Sequence, residues 1–379
     1  MKNSSRKEIL VVLSWQIELS HTIHQGICDY ARLHPDWETS LISIRDLTHV
    51  NVAQWESSGM IASLGGDRYK KLMDAKFPIV STFAGKGVPK TILQVDEDHL
   101  KSGELAADYL QSLGHENFAC VHPVFPAHPT RAKGFLQRLQ ENGQDADMLE
   151  IQQHGFAGEE KRVGQWLHDL PKPTALFVTE DTTARSLLKL CLDTRLAVPD
   201  DVAILGCENN RSLCEGITPA ISSIQLPYYR IGYEAAHLLD QKMQGKKIKS
   251  TKLLFPPERI VTRASTDILA SPDPHLRRAI RYIRDHVDEK IEVRDIARHA
   301  GLSLRVLQGR FRDELKRTPM EEIQYAKVER TKELLFSTAL TLDEIAEHTG
   351  FSSAYYLGRI FKRYAKITPG QYRKQHCLR

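Results

Sequence analysis

From Glu8 to Thr266, short apolar runs alternate with longer stretches in which apolar residues recur every third or fourth position. "ILVVLS" at Ile9–Ser14 precedes a helical pattern through Gly26 to Leu33, and "GMIASL" at Gly59–Leu64 precedes one through Lys70 to Met73. "FACVHP", "ALFVTE" and "VAILGC" repeat the motif further on. Runs this short, solidly apolar and separated by helical periods predict parallel strands covered by helices on both faces, an α/β fold. Ligands of such folds sit beyond the carboxyl ends of the strands. Those ends are polar here: Ser14, Asp67, Asp96, Glu180-Asp181 and Glu208-Asn209.

The pattern changes near residue 275, where strand signals stop and a repeat begins. "IARHAGLSL" at Ile296–Leu304 returns 49 residues later as "IAEHTGFSS" at Ile345–Ser353. Each copy carries an apolar helix face, an Ala four residues before a Gly, a Ser, and a second apolar period, Leu304, Leu307 and Phe311 or Leu357 and Phe361. Small Ala lets helices cross closely, Gly supplies a left-handed turn residue, and Ser caps the next helix. This is helix-turn-helix grammar, placed at about 291–315 and 341–366, with the named Leu and Phe residues as core. Both copies end in Thr-Pro, where Thr318 with Glu321 and Thr368 with Gln371 form capping boxes. A long helix over about 319–337 joins the copies. Gly301 to Pro319 spans 18 positions and Gly350 to Pro369 spans 19, and the extra residue is placed near Ile360.

Charge follows the same division. Residues 275–379 hold 22 Lys and Arg against 14 Asp and Glu, whereas the remainder holds 30 against 34, so the basic part suits a polyanion. "DILASPDP" at 267–274 reads as a linker between a domain at 1–266 and one at 275–379. Six scattered cysteines, with no C-x-x-C, argue against a disulfide framework or a structural zinc and for a reducing compartment. There is no H-E-x-x-H, and no apolar run approaches ~18 residues, so neither a metal enzyme nor a membrane span is expected. No catalytic residue, metal ligand or cofactor is assigned.

The last hundred residues resemble the DNA-binding domain of AraC-type transcription factors. "AEHTGFSSAYYLGRIFKRYAKITPGQYR" carries the signature through Gly350, Phe351, Ser352, Phe361, Pro369, Tyr372 and Arg373. The resemblance implies two reading helices in successive major grooves of double-stranded DNA. By position, the first presents Ser303, Arg305, Gln308 and Gly309, and the second Ser353, Ala354, Tyr355, Gly358 and Arg359. Arg305 and Arg359 suit guanine and Gln308 suits adenine. Tyr355 has two readings, packing or base contact. Arg310, Arg312, Lys362, Arg363 and Lys366 suit phosphates. Gly309 and Gly358 stand where the family often has larger polar residues.

Residues 6–266 resemble the periplasmic-binding-protein-like sensor of LacI/GalR-type regulators, through "LQVDEDHLKSGELAADYLQSLGHENFACV", "RAKGF" and "PTALFVTEDTTARSLLKLCLDTRLAVPDDVAILGCENN". The resemblance implies two lobes closing on a small molecule and a dimer formed along one side. Carboxylates and Arg grip vicinal hydroxyls in a fork, and the resemblance implies that Arg131 and Glu208 lead the ligand set, followed by Asp96 and Glu180. Asp181, Asn209, Ser14, Trp15, Ser20, His21 and Asp67 complete it. Asp96 and Glu180-Asp181 have a second reading as helix caps, Trp15 as core and His21 as surface. Glu208 replaces the family's usual Asp, and Glu180-Asp181 its Asn-Asp. A LacI-like sensor followed by an AraC-type reader resembles the architecture of the bacterial xylose-operon regulators. That implies a cytoplasmic, nucleoid-associated activator with a monosaccharide effector such as xylose. Its implied partners are operator DNA, a second copy of the chain and RNA polymerase. A sugar-modifying enzyme and a ligand-independent repressor are the competing readings. The enzyme lacks G-x-G-x-x-G after the first strand, a P-loop and G-x-S-x-G.

Overall fold

Two six-stranded sheets organise the first two-thirds of the chain in a computed structural model. It describes residues 6–13, 18–43, 56–64, 72, 74–83, 88–124, 128–152, 154–248, 250–267 and 273–376. The elements run β1 (Lys7–Leu13), α1 (Glu18–Arg32), β2 (Trp37–Ser43), β3 (Gly59–Ala62), β4 (Ile79–Ser81), β5 (Leu93–Glu97), α2 (His99–Ser112), β6 (Asn117–Pro123), α3 (His128–Glu141) and β7 (Ala146–Ile151). They continue with α4 (Glu160–Asp169), β8 (Thr174–Val178), α5 (Asp181–Asp193), β9 (Val202–Glu208), α6 (Arg211–Glu215), β10 (Ser222–Gln225), α7 (Tyr228–Met243), β11 (Lys252–Phe255) and β12 (Arg259–Val261).

The first sheet has the order β11-β5-β4-β3-β1-β2 and the second β12-β10-β9-β8-β6-β7. All pairings are parallel except β10 with β12. The chain leaves the first lobe after β5, returns after β10 and crosses once more between β11 and β12. These three crossings put polar strand ends of both lobes around one cleft. Central strands are apolar on both faces, and all five residues of β8 are buried, as expected where helices cover both sides of a parallel sheet. The helical pattern expected through Lys70 to Met73 lies outside the described residues but for Leu72.

Compact units comprise Met1–Ser112 with Glu116–Thr266, and Asp267–Arg379 with Leu113–His115. The second holds α8 (Pro274–Asp285), α9 (Val293–Ala300), α10 (Leu304–Leu315), α11 (Pro319–Ser337), α12 (Leu342–His348), α13 (Ala354–Ala365) and α14 (Pro369–His376). It has two cores. Leu276, Ile280, Ile296, Leu307 and Phe311 make the first with Ile323 of α11. Ile345, Leu357, Ile360 and Phe361 make the second with Val328 and Leu335 of the same helix. The capping box of Thr318 and Glu321 starts α11, and Thr368 and Gln371 exchange the equivalent bonds at α14. Thr341 and Glu344 form a third box, at α12.

Two expectations need correction. The extra residue of the second copy is in the turn, not near Ile360: Ser303 caps α10 two positions after Gly301, while Ser353 caps α13 three positions after Gly350. Both second helices then run twelve residues and end on a left-handed lysine, Lys316 or Lys366. Leu304 is not core; as the first residue of α10 it is 37% exposed.

Candidate functional site

Arg131 stands where the strand ends of the two lobes meet. It rides on the first turns of α3, whose close seat on α2 depends on glycines at the crossing. A Cβ on Gly103 would lie 2.1 Å from the Arg131 carbonyl oxygen, and one on Gly134 would lie 2.3 Å from that of Leu100. The guanidinium is 3% exposed. Its Nε donates to Glu97 Oε1 at 2.8 Å and its Nη2 to the same oxygen. Its Nη1 donates to the Thr179 carbonyl at 2.6 Å and meets Glu208 Oε1 at 3.5 Å. Glu97 ends β5 of the first lobe, whereas Arg131, Thr179 and Glu208 belong to the second, so the pair ties the lobes together across the cleft.

Glu97 is 1% exposed and fully partnered. His99 Nδ1 meets its Oε1 at 2.6 Å, and Ser102 Oγ donates to its Oε2 at 2.9 Å. Burial alone would raise this carboxyl, but Arg131 and the His99 hydrogen bond outweigh it and hold it at about 2. His99 also reaches Asp96 Oδ2 at 3.2 Å. Burial opposes a charge on this ring, yet the bonds to Asp96 and Glu97 push it up to about 9. Asp96 turns its other oxygen onto the Glu97 backbone N–H at 2.8 Å. The helix-cap part at α2 falls to Asp98, whose Oδ1 accepts from Lys101 N at 3.2 Å.

Glu208 closes the group at the end of β9. Burial pushes its carboxyl up to about 8; Arg131 opposes this, while Asp181, Glu180 and Glu97 reinforce it. A neutral carboxyl is a donor as well as an acceptor. Glu208 and Asn209 have φ of 110° and 50°, a region costly for side chains with a Cβ and tolerated where the surroundings dictate it. The surroundings are explicit. Asn209 N donates to Ser223 Oγ at 2.9 Å, its amide to Gln225 at 2.5 Å, and its oxygen accepts from Arg263 at 2.8 Å.

The structure thus gathers Arg131, Asp96 and Glu208 at the cleft, with Glu180 close enough to act on Glu208 by its charge. Asp181 is corrected: it is wholly buried, with Oδ1 accepting from Ser223 Oγ at 2.7 Å and Oδ2 from Asn210 N at 2.7 Å. It braces the strained strand end, and burial pushes its own carboxyl up to about 6. Asn209 is likewise committed within its lobe. Glu180 stands at the N-cap position of α5 but makes no side-chain capping bond there; its Oε1 accepts from Thr183 Oγ1. Ser20 is buried and His21 exposed on the first turns of α1. Ser14, Trp15 and Asp67 lie outside the described residues. Sequence reasoning missed Glu97, His99, Thr179 and Tyr228; Tyr228 is 8% exposed at the start of α7, and Glu208 acts on it electrostatically. The adjacent acids of "VDED" were the available signal for Glu97.

The second unit offers a cationic face on its two reading helices. Counting from their Ser caps, Arg305, Gln308 and Gly309 of α10 correspond to Tyr355, Gly358 and Arg359 of α13. Arg305 and Gln308 are exposed, and a Cβ on Gly309 or Gly358 would meet nothing within 4 Å. These glycines therefore leave open surface, not tight packing. Tyr355 is 83% exposed, which removes the packing reading. Arg359 is exposed beside the Tyr356 ring, its guanidinium carbon 5.0 Å from the centroid. Ser303 and Ser353 cap their helices through Val306 N and Tyr356 N, and Ala354 is half-buried. Arg312, Lys362 and Arg363 are exposed, with Arg363 3.6 Å from Glu321. Arg310 is corrected as a phosphate candidate: it is half-buried and bonds Asp273, the cap of α8, and its counterpart Ile360 is core.

Comparison with known proteins fits both halves. A periplasmic binding protein-like domain model matches residues 107–266, and a helix-turn-helix domain model matches residues 296–375. The chain is 30% identical to the xylose operon regulatory protein of Haemophilus influenzae over 283 residues, 73% of each chain. It is 31% identical to that of Escherichia coli K12 over 225 residues, 59% of this chain and 57% of that one. The solved structure of a xylose-binding transcription activator superposes with a TM-score of 0.64 at 24% identity, covering 98% of this chain and 99% of that one. A LacI family regulator of Enterococcus faecium solved with bound ribose superposes at 0.57 and 23% identity, over 69% of this chain and 98% of that one. The chain belongs to the family of xylose operon regulatory proteins, sugar-responsive transcriptional regulators that join a periplasmic-binding-protein-like sensor to a DNA-binding helix-turn-helix domain.

Proposed function

We propose that this regulator senses a pentose of the xylose type in its interlobe cleft and, in a homodimer, activates transcription from a double-stranded operator. The observation that carries the reading is the buried Glu97–Arg131 pair, which links the lobes and has Asp96, His99 and Glu208 beside it. A polyol entering there finds carboxylate acceptors and, in protonated Glu208, a donor, fixed before it arrives by the Arg131 guanidinium and its neighbours. A sugar that binds one lobe arrangement better than the other shifts the equilibrium between them, and with it the presentation of the readers. The relatives named for xylose support a pentose as the effector, and no separate cofactor is needed. An activator in the cytoplasm acts through RNA polymerase.

Calorimetry of the full chain against a panel of pentoses and hexoses tests the sensor. The expected result is saturable binding of a pentose with no chemical change in the sugar. Turnover would instead mark an enzyme, and heats that never saturate a ligand-independent regulator. Operator titration with and without that sugar then tests the coupling: equal affinity, equal spacing preference and equal transcript output would refute it.

The DNA face separates two kinds of contact. Arg305→Ala should weaken operator binding by about 1–3 kcal/mol and relax the preference at one base pair. Lys362→Ala should weaken all sequences alike and lower the slope of log K against log salt by about one. Both are read by the same salt-dependent titration, and unchanged binding in both variants would remove these assignments.

A further inference from the structure

The two helix-turn-helix units have separate cores, yet one side chain of the joining helix bonds to both. Lys327, midway along α11, is 5% exposed. Its Nζ donates to the Glu289 carbonyl at 2.9 Å and to the Gly350 carbonyl at 2.5 Å, and lies 5.7 Å from the Phe351 ring centroid. Glu289 belongs to the turn between α8 and α9, in the first unit. Gly350 belongs to the turn between α12 and α13, in the second. One helical turn further along α11, Arg330 Nε stands 3.6 Å from Asp288 Oδ1 in the same first-unit turn.

We infer that Lys327 is a positioning residue that locks the two reading helices into one register, so that both meet DNA at a single box spacing. The inference rests on the DNA-binding reading above. An ammonium group is an expensive occupant of such a place. Burial holds it down at about 8, with only Asp288 acting the other way. A leucine or methionine would fill the space without that cost. What an apolar chain cannot do is hold two carbonyls of two different units within reach of one atom.

The repeat supplies an internal control. Gly301 and Gly350 occupy equivalent turns with φ of 69° and 58°. A Cβ on Gly301 would meet nothing closer than His275 Nδ1 at 3.8 Å. One on Gly350 would lie 2.4 Å from the Glu289 carbonyl oxygen and 2.5 Å from Lys327 Nζ. The first turn needs glycine for its backbone alone, whereas the second also needs it to let the first unit's carbonyl approach. Reading two boxes gains affinity only while the second reader is held near its groove, and that gain falls when the connection loosens.

The test uses the full chain and a duplex that the wild-type protein selects from a randomised library, together with a derivative whose second box is scrambled. Lys327→Met should lose about tenfold or more on the two-box duplex, stay within about twofold of wild type on the single-box duplex, and tolerate an inserted base pair that wild type rejects. Gly350→Ala should reproduce that selective loss. Gly301→Ala, strained only in its backbone, should change both duplexes alike. Unchanged two-box affinity and spacing in Lys327→Met would overturn the inference, and so would an equal loss on both duplexes, which marks a folding defect. Failure of the wild-type chain to enrich any duplex would instead bring down the DNA-binding reading, and this role with it.

Discussion

Arg131→Met should both unsettle the sensor and silence it. The substitution leaves the Glu97 carboxylate, 1% exposed, with His99 and Ser102 as its remaining partners among the described residues. Removing one member of a buried ion pair costs about 3–5 kcal/mol, because the other charge stays behind in a medium that solvates it poorly. In a unit of this size that lowers the melting temperature by on the order of 10 °C. All four tryptophans, Trp15, Trp37, Trp55 and Trp166, precede residue 267, so their fluorescence follows the sensor alone. The double variant Glu97→Gln with Arg131→Met should recover much of the lost stability, since no unpaired charge remains, but none of the sugar binding, since the guanidinium that orders the site is gone. That split separates a structural role from a recognition role. A double variant destabilised by the sum of the Glu97→Gln and Arg131→Met losses would show that the two residues are not coupled and would undo the account of the cleft.

What was legible in the sequence follows the range over which each rule acts. Helix caps, turn glycines and apolar periods are decided within a few residues, so Thr318 with Glu321, Gly301 with Ser303, and the long helix from Pro319 were readable directly. The alternation of strands and helices was readable for the same reason, and it implied a cleft at the strand ends. Pairings between distant residues were not. Arg310 looks like a phosphate contact until Asp273, 37 residues away, is found bonded to it. Glu97 was passed over because nothing local distinguishes it from Asp96; its importance comes from Arg131, 34 residues on and in the other lobe. Asp181 failed in the opposite way. A carboxylate just past a strand is well placed for a ligand, but Ser223 and Asn210 take both of its oxygens. The extra residue of the second copy was put in a helix because a count between landmarks cannot tell a longer turn from a longer helix. The Ser caps can, since each starts a helix of the same length.

Raising the pH should weaken the sensor well before any lysine or tyrosine is involved, and Glu208→Gln should remove most of that effect. Burial raises the Glu208 carboxyl to about 8, against the pull of Arg131. In the unfolded chain a glutamate titrates near about 4.3. Between those values the folded chain keeps a proton that the unfolded chain has released, so stability falls as pH rises through this window. Each tenfold difference in proton affinity is worth about 1.4 kcal/mol, which puts the whole loss on the order of 5 kcal/mol. His99 adds to the alkaline side: raised to about 9, it contributes stability that is complete below its ordinary value and lost as pH passes 9. Glu97 acts at the other end, since a carboxyl held at about 2 contributes stability above its ordinary value and loses it on acidification. Urea midpoints read by tryptophan fluorescence should therefore decline from about pH 5 to pH 8 in the wild type and decline less steeply in Glu208→Gln, where Asp181 below about pH 6 and His99 above its ordinary value still contribute. Sugar affinity should move in parallel, because the ionised carboxylate has lost the hydrogen that the neutral acid offers to a hydroxyl, while the amide of Gln retains a donor at every pH. A wild-type midpoint that is flat across this window would mean that Glu208 is ionised in the folded chain. The cleft would then present a fixed anion to its ligand in place of a donor.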